Sequence, residues 1–142
     1  MFERICLTWQ VVRAMVTYKI DQNERLIRTQ CTGPVTLAEV VAHFQELAAD
    51  PACPSFLDVL LDLRTIDSLP HSGQLEAVTR AVRKVQSKVR FGLCAIVVDR
   101  DAAFGVFRMF EVMAHDHFTA IRVFRSASEA EAWLASQRLP VK

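Results

Sequence analysis

The sequence predicts an α/β domain with a mixed, largely parallel β-sheet and helices packed on it. Three observations carry this expectation. FLDVLLDL (56–63) and GLCAIVV (92–98) are nearly continuous apolar runs, as in strands covered on both faces. Helical periodicities stand between the strand-like stretches, giving the order β-β-α-β-α-β-α-β-α. Capping signals mark where two of the helices begin.

The elements follow in order. VTYKI (16–20) alternates in strand fashion, DQNE supplies a turn, and LIRTQCT (26–32) completes a hairpin. Gly33-Pro34 breaks the pattern, and Thr36 with Glu39 forms a capping box. Leu37, Val40, Val41, Phe44, Leu47 and Ala48 recur at helical spacing until Asp50-Pro51 and Pro54 end the helix. After the run at 56–63, Leu75, Val78, Val82, Val85 and Val89 mark one stripe of a long helix. After 92–98, residues 102–117 read as a helix and AIRVF (120–124) as a strand. Ser126 and Glu129 form a second capping box, opening a last helix through Trp133 and Leu134.

Composition bounds the function. With 142 residues, 51% hydrophobic, the chain forms one domain with a substantial core. A net charge of +1 gives no general attraction to nucleic acid or to an acidic membrane surface, and no apolar run reaches bilayer length. Cys6, Cys31, Cys53 and Cys94 form no C-x-x-C pair. They are expected to be reduced thiols in a cytoplasmic protein, since MFERICLTWQVVRAM lacks a clean signal-peptide pattern.

The first residues stand apart. Ile5, Leu7, Trp9 and Val11 alternate with more polar neighbours, which suggests an extra strand with Trp9 buried. The alternative is an upstream extension of a domain that starts near Met15. The chain is therefore divided into an extension, 1–15, and a domain, 16–142.

The element order and three phrases together resemble the SpoIIAA-like, or STAS-like, proteins over about residues 15–137. VLLDLRTI (59–66) ends the third core strand in an aspartate. FGVFRMFE (104–111) is similar to a Phe-Gly-x-x-Arg-Met phrase of that group's third helix. IRVFRSASEAEAWL (121–134) is similar to its closing strand and helix. The resemblance implies a SpoIIAA-like fold and a non-enzymatic, regulatory protein-interaction domain. The better-known relatives are bacterial anti-sigma-factor antagonists, which bind a kinase-type anti-sigma factor. They are switched by phosphorylation of a serine at the start of the second helix.

That implication directs attention to LLDLRTIDSLPHSGQLEAV (60–78). The antagonists' contiguous Asp-Ser-Ser-Gly-like motif is split here into Asp67-Ser68 and Ser72-Gly73. A phosphoserine at a helix N-terminus gains from the dipole and the free N–H groups, and its charge repels an acidic partner. Ser72 is the preferred phosphorylation candidate because Gly73 follows it, with Ser68 second. The plain alternative is that one of the two serines caps the helix. Asp67 and His71 are candidate partner contacts. So are Arg80, Lys84 and Lys88, a basic stripe at four-residue spacing that reads either as a solvated face or as a dock for an acidic or phosphorylated partner.

Other chemistries fit less well. Asp62 and Asp99 close the central strands, but the acidic pair and lysine of a phospho-accepting receiver are missing. His71-Ser72 lacks a nucleophile elbow. His115 and His117 stand two apart, a spacing that separates them around a helix. No catalytic residue, metal site or cofactor is expected. A carrier of a small apolar ligand, of the CRAL-TRIO type with its related βα layout, is the rival reading.

The helix at 102–117 makes a further demand. Val106, Phe107, Met109, Phe110, Val112, Met113 and Ala114 cover an arc of roughly 220° at 3.6 residues per turn. A helix on one sheet needs an apolar stripe of about 100°. Arg108, Glu111 and His115 form the polar stripe, spaced to pair with one another. Phe107, Phe110 and Ala114 are assigned to the sheet. Met109 and Val112 are assigned to a homodimer interface, with an apolar ligand or the N-terminal arm as other covers.

Overall fold

The structure, a computed structural model, describes residues 15–137. The elements are β1 (Met15–Asp21), β2 (Leu26–Gly33), α1 (Leu37–Ala49), β3 (Phe56–Ile66), α2 (Ser72–Val85), β4 (Arg90–Val97), α3 (Asp101–Ala114), a 3-10 turn (His115–His117), β5 (Ala120–Phe124) and α4 (Ala127–Gln137). The expected strand through Trp9 lies outside the described residues.

The five strands stand in the order β1-β2-β3-β4-β5. β1 pairs antiparallel with β2, and every other neighbouring pair is parallel. Each parallel step needs a crossover, and crossovers of one hand that advance in one direction place their helices on one face. The core follows this rule. Cys31, Leu63, Cys94, Ile96 and Val123 pack with α3, while Ile27, Leu57 and Phe91 pack with Leu47 of α1 and Val82 and Val85 of α2. The opposite face carries Leu26, Leu60, Leu93, Ala95 and Val97, closed by Ala130 and Leu134 of α4. β4 is consequently buried from Phe91 to Val97, the reason its sequence is an unbroken apolar run.

Local signals explain most boundaries. Thr36 and Glu39 make both bonds of the expected capping box. At the start of α4 the Glu129 N–H donates to Ser126 Oγ (3.1 Å). The hairpin turn places Arg25 at φ 53°, and Asp21 Oδ1 accepts the Glu24 N–H (3.0 Å).

Three boundaries differ from the sequence reading. β3 continues to Ile66, so Asp62 lies inside the strand. α2 ends at Val85; a last turn follows, in which the Val85 carbonyl accepts the N–H groups of Lys88 (2.8 Å) and Val89 (2.9 Å) before β4 begins at Arg90. Val89 still joins the core at 2% exposure, so its place in the apolar stripe survives although it is not helical. Lys88, by contrast, leaves the helical stripe and sits in the turn. Finally, the helix begun at Asp101 gives way at His115 to the 3-10 turn.

The β3–β4 register shifts between Leu57 and Val59. There the buried Asp58 (5% exposed) accepts the Leu93 N–H through Oδ1 (2.8 Å). Gly92 lies against this contact. A Cβ on Gly92 would stand 2.3 Å from Asp58 Oδ1 and 2.5 Å from Phe56 Cζ. Gly92→Ala is therefore expected to destabilise the domain by about 1–3 kcal/mol through overpacking and displacement of the Asp58 bond. Urea unfolding of wild type and variant measures this; equal midpoints would show that the bulge relaxes around the methyl group.

Candidate functional site

The loop 67–71 leaves the carboxyl end of β3, where open α/β sheets commonly place recognition groups. Its base is held from two sides. The Asp67 N–H donates to the Gly33 carbonyl (3.0 Å), and Arg100 Nη2 donates to the Ile66 carbonyl (3.2 Å). Above this base Asp67, Ser68, His71, Ser72 and Gly73 are all exposed.

Neither serine caps α2. His71 is the N-cap, with φ −92° and ψ 173°. Its Nδ1 accepts the Gln74 N–H (3.4 Å), and Gln74 Oε1 accepts the His71 N–H (3.0 Å). This is a capping box built with an imidazole. The sequence signal was Gln74, three residues after His71, but histidine is an uncommon cap and the serines drew attention instead. Ser72 becomes the first residue of the helix. Its hydroxyl lies at the dipole's positive end without a capping duty.

The candidate contacts do not form one compact site. Asp67, Ser68, His71 and Ser72 cluster at the loop. Arg80 and Lys84 lie farther along α2 and Lys88 lies beyond its end; all three are exposed. At 1.5 Å per residue α2 spans roughly 20 Å, so the loop and Lys88 occupy opposite ends of one helix. Asp62 is engaged locally: its carboxylate takes Arg64 Nη2 (2.7 Å), Nε (3.0 Å) and the Arg64 N–H (3.0 Å). These bonds hold its pKa below the ordinary aspartate range.

On α3, Ala103, Phe107, Phe110 and Ala114 are buried toward the sheet, as the helical wheel requires. Met109 is 44% and Val112 73% exposed. The polar stripe does more than pair internally. Arg108 bridges Glu111 (3.2 Å), and Glu111 Oε2 also accepts the Val123 N–H of the edge strand β5 (2.7 Å). His115 meets Asp116 and the Val112 carbonyl, while His117 Nδ1 lies 3.1 Å from Gln86 Oε1, so the two histidines serve separate contacts.

The sequence reading overlooked His43. It shares the inner stripe of α1 with Val40 and Leu47 and lines a cavity of about 190 Å³ between α1, α2 and the sheet. The cavity wall includes Thr29, Cys31 and Cys94. His43 packs against Tyr18 and Phe44 (ring centroids 5.2 and 5.6 Å). Its Nδ1 is buried with no hydrogen-bond partner among the described residues. Burial lowers its pKa from 6.5 to about 4. The same desolvation raises Cys31 to about 12 and Cys94 upward, which makes both poor nucleophiles. The spacing of His43 from Val40 and Leu47 was the available clue.

No family model matches the sequence, and no curated protein matches it. Among solved structures, the chain is similar to an uncharacterised DUF3478-family protein with a SpoIIAA-like fold from Shewanella loihica PV-4. The identity is 14% over 86% of this chain and 94% of that one, with a TM-score of 0.56. It is also similar to an anti-sigma factor antagonist from Mycobacterium paratuberculosis, 16% identical over 84% of this chain and 93% of that one, with a TM-score of 0.48. The likeness is one of fold: the chain has a SpoIIAA-like fold.

Two measurements test the site. His71→Ala should cost about 1 kcal/mol as a lost cap, while Ser68→Ala and Ser72→Ala stay within about 0.5 kcal/mol of wild type. Chemical denaturation ranks the three, and a larger loss at either serine would return the cap to it. For His43, the folded pKa lies below the unfolded one, so its contribution is full above pH 6.5 and is lost as pH falls toward 4. Between about pH 7 and pH 5 wild type should lose about 1–2 kcal/mol more than His43→Phe. Parallel pH dependences in the two proteins would contradict a buried neutral imidazole.

Proposed function

We propose that this chain is a non-enzymatic, cytoplasmic regulatory domain that works by binding another protein through the loop 67–71 and the start of α2. The observation that carries the reading is the placement of Ser72: exposed, at the first position of α2, and free of the cap that His71 makes. A phosphate there would meet free N–H groups and the dipole, and would change the charge of an otherwise lightly charged loop. The SpoIIAA-like fold and the sequence resemblance to antagonist proteins support the same reading. Among the described residues no helix is long and apolar enough to cross a membrane.

The partner is a protein, with a kinase-type anti-sigma factor as the specific candidate. Asp67, Ser68 and His71 would meet it beside Ser72. Arg80, Lys84 and Lys88 would extend the contact along α2 toward an acidic surface, contributing to encounter rate and orientation more than to affinity. Self-association is assigned to α3. Met109 and Val112, one turn apart, leave apolar surface outside the sheet-facing row, and a second copy would cover it about a two-fold axis.

Two experiments test this function. Native pull-down with mass spectrometry identifies the partner, and its affinity for wild type, Ser72→Ala and Ser72→Asp is then compared. The aspartate variant is expected to bind about tenfold more weakly, with the alanine variant near wild type. Equal affinity for all three would remove the switch. In sedimentation, wild type should be a dimer and Met109→Glu or Val112→Glu a monomer. A monomeric wild type, or charged variants that dimerise unchanged, would remove the α3 interface.

A further inference from the structure

α1 does not close onto the sheet. Leu47 is its one fully buried side chain among those described (1% exposed), while Val40, Val41, His43, Phe44 and Ala48 are only half-buried. The space beneath is the cavity of about 190 Å³. Protein interiors rarely keep a void larger than a water molecule. The wall here is mainly aliphatic and aromatic, with Val59, Leu61, Leu63, Phe107 and Phe110 among its residues. No Asp, Glu, Lys or Arg lines it among the described residues. Water is held in a cavity only where two to four polar groups converge on it. The polar members of this wall are Thr29, Thr36, Ser68, Gln74 and His43, and among the described residues only the Nδ1 of His43 is a buried side-chain polar atom without a partner.

We propose that the cavity binds a small, uncharged, mostly apolar molecule whose single hydroxyl hydrogen-bonds to His43. Size, charge and polarity each narrow the class. An apolar cavity of roughly 150 Å³ accepts benzene, so this one has room for a single ring with a short alkyl substituent. A carboxylate or an amine would bury a charge without a counter-ion. A hydroxyl both donates and accepts, so it satisfies Nδ1 in either tautomer of the neutral ring. Burial keeps that ring neutral, with its pKa near 4. Ser68 and Thr36 are the exposed members of the lining, which places the entrance between the start of α1 and the loop 67–71. The site goes beyond the partner-binding reading and stands without it.

The test uses the full chain with 4-ethylphenol and 4-ethyltoluene, two probes of equal shape that differ in the hydroxyl. Calorimetric or NMR titration gives both affinities for wild type and for His43→Phe, Val59→Phe and Val78→Phe. The phenol is expected to bind wild type, with nuclear Overhauser contacts to the methyl groups of Val59, Leu61 and Leu63. In His43→Phe the affinity ratio should move toward the hydrocarbon by roughly two- to tenfold, the worth of one hydrogen bond. Either filling variant, if folded by circular dichroism, should weaken both probes about tenfold or more. Absence of binding to wild type at millimolar probe, contacts confined to surface groups, an unchanged ratio in His43→Phe, or full binding by a folded filling variant would each overturn the site. The wild-type contacts decide the location even where no variant folds.

Discussion

Three crossovers of one hand are the constraint on which the rest of the structure depends. β2 to β5 advance in one direction across the sheet, so α1, α2 and α3 all fall on the same face. That face has to be apolar along its whole width. Among the described residues the other face is left to a single helix, α4, which reaches only part of it. There Leu60, Leu93, Ala95 and Val97 meet Ala130 and Leu134. Toward the hairpin that face turns polar, and Arg28 on β2 pairs with Glu131 at the border of α4. β4 alone carries a continuous apolar run from Phe91 because it lies deepest between the two layers.

Crowding three helices on one face has unequal results. α3 seats four residues firmly and uses Glu111 to satisfy the N–H of Val123 in β5, an edge strand among the described residues. α2 is amphipathic, with Leu75, Val82 and Val85 inside and its basic residues outside. α1 stands over the hairpin side, where the sheet face offers Thr29 and Cys31 in place of bulky side chains. These residues below and a half-buried histidine above border the gap, whose wall also includes Leu75 and Val78 of α2 and Phe107 and Phe110 of α3.

Both proposed activities meet at the same end of the fold. The loop 67–71 is fixed at its base by Gly33 and Arg100 and opens upward. His71 takes over the helix cap, which leaves the serines exposed and unconstrained by that role. The lining of the cavity reaches the same loop at Ser68. A partner contact on the outer side of the loop and a small molecule on its inner side would therefore be neighbours, through the β3–α2 connection.

The sequence by itself determined the order and type of the elements. Period-two alternation, continuous apolar runs and the Thr36–Glu39 box are local signals, set by interactions within a few residues along the chain. It also determined which row of α3 faces the sheet, since helical spacing alone places Phe107, Phe110 and Ala114 together. The tertiary structure decided the rest. Val89 is buried beyond the end of α2, in the last turn before β4, where it packs with Val82, Val85 and Phe91. His71 acts as the cap because the chain leaving Ile66 is anchored so that the residue three before Gln74, and no serine, adopts the extended cap conformation. His43 stands unpartnered over a cavity because residues distant in sequence, Thr29, Cys31 and Cys94 among them, leave space beneath it. Burial, pKa and empty volume are sums over such distant neighbours, which no window of the sequence contains.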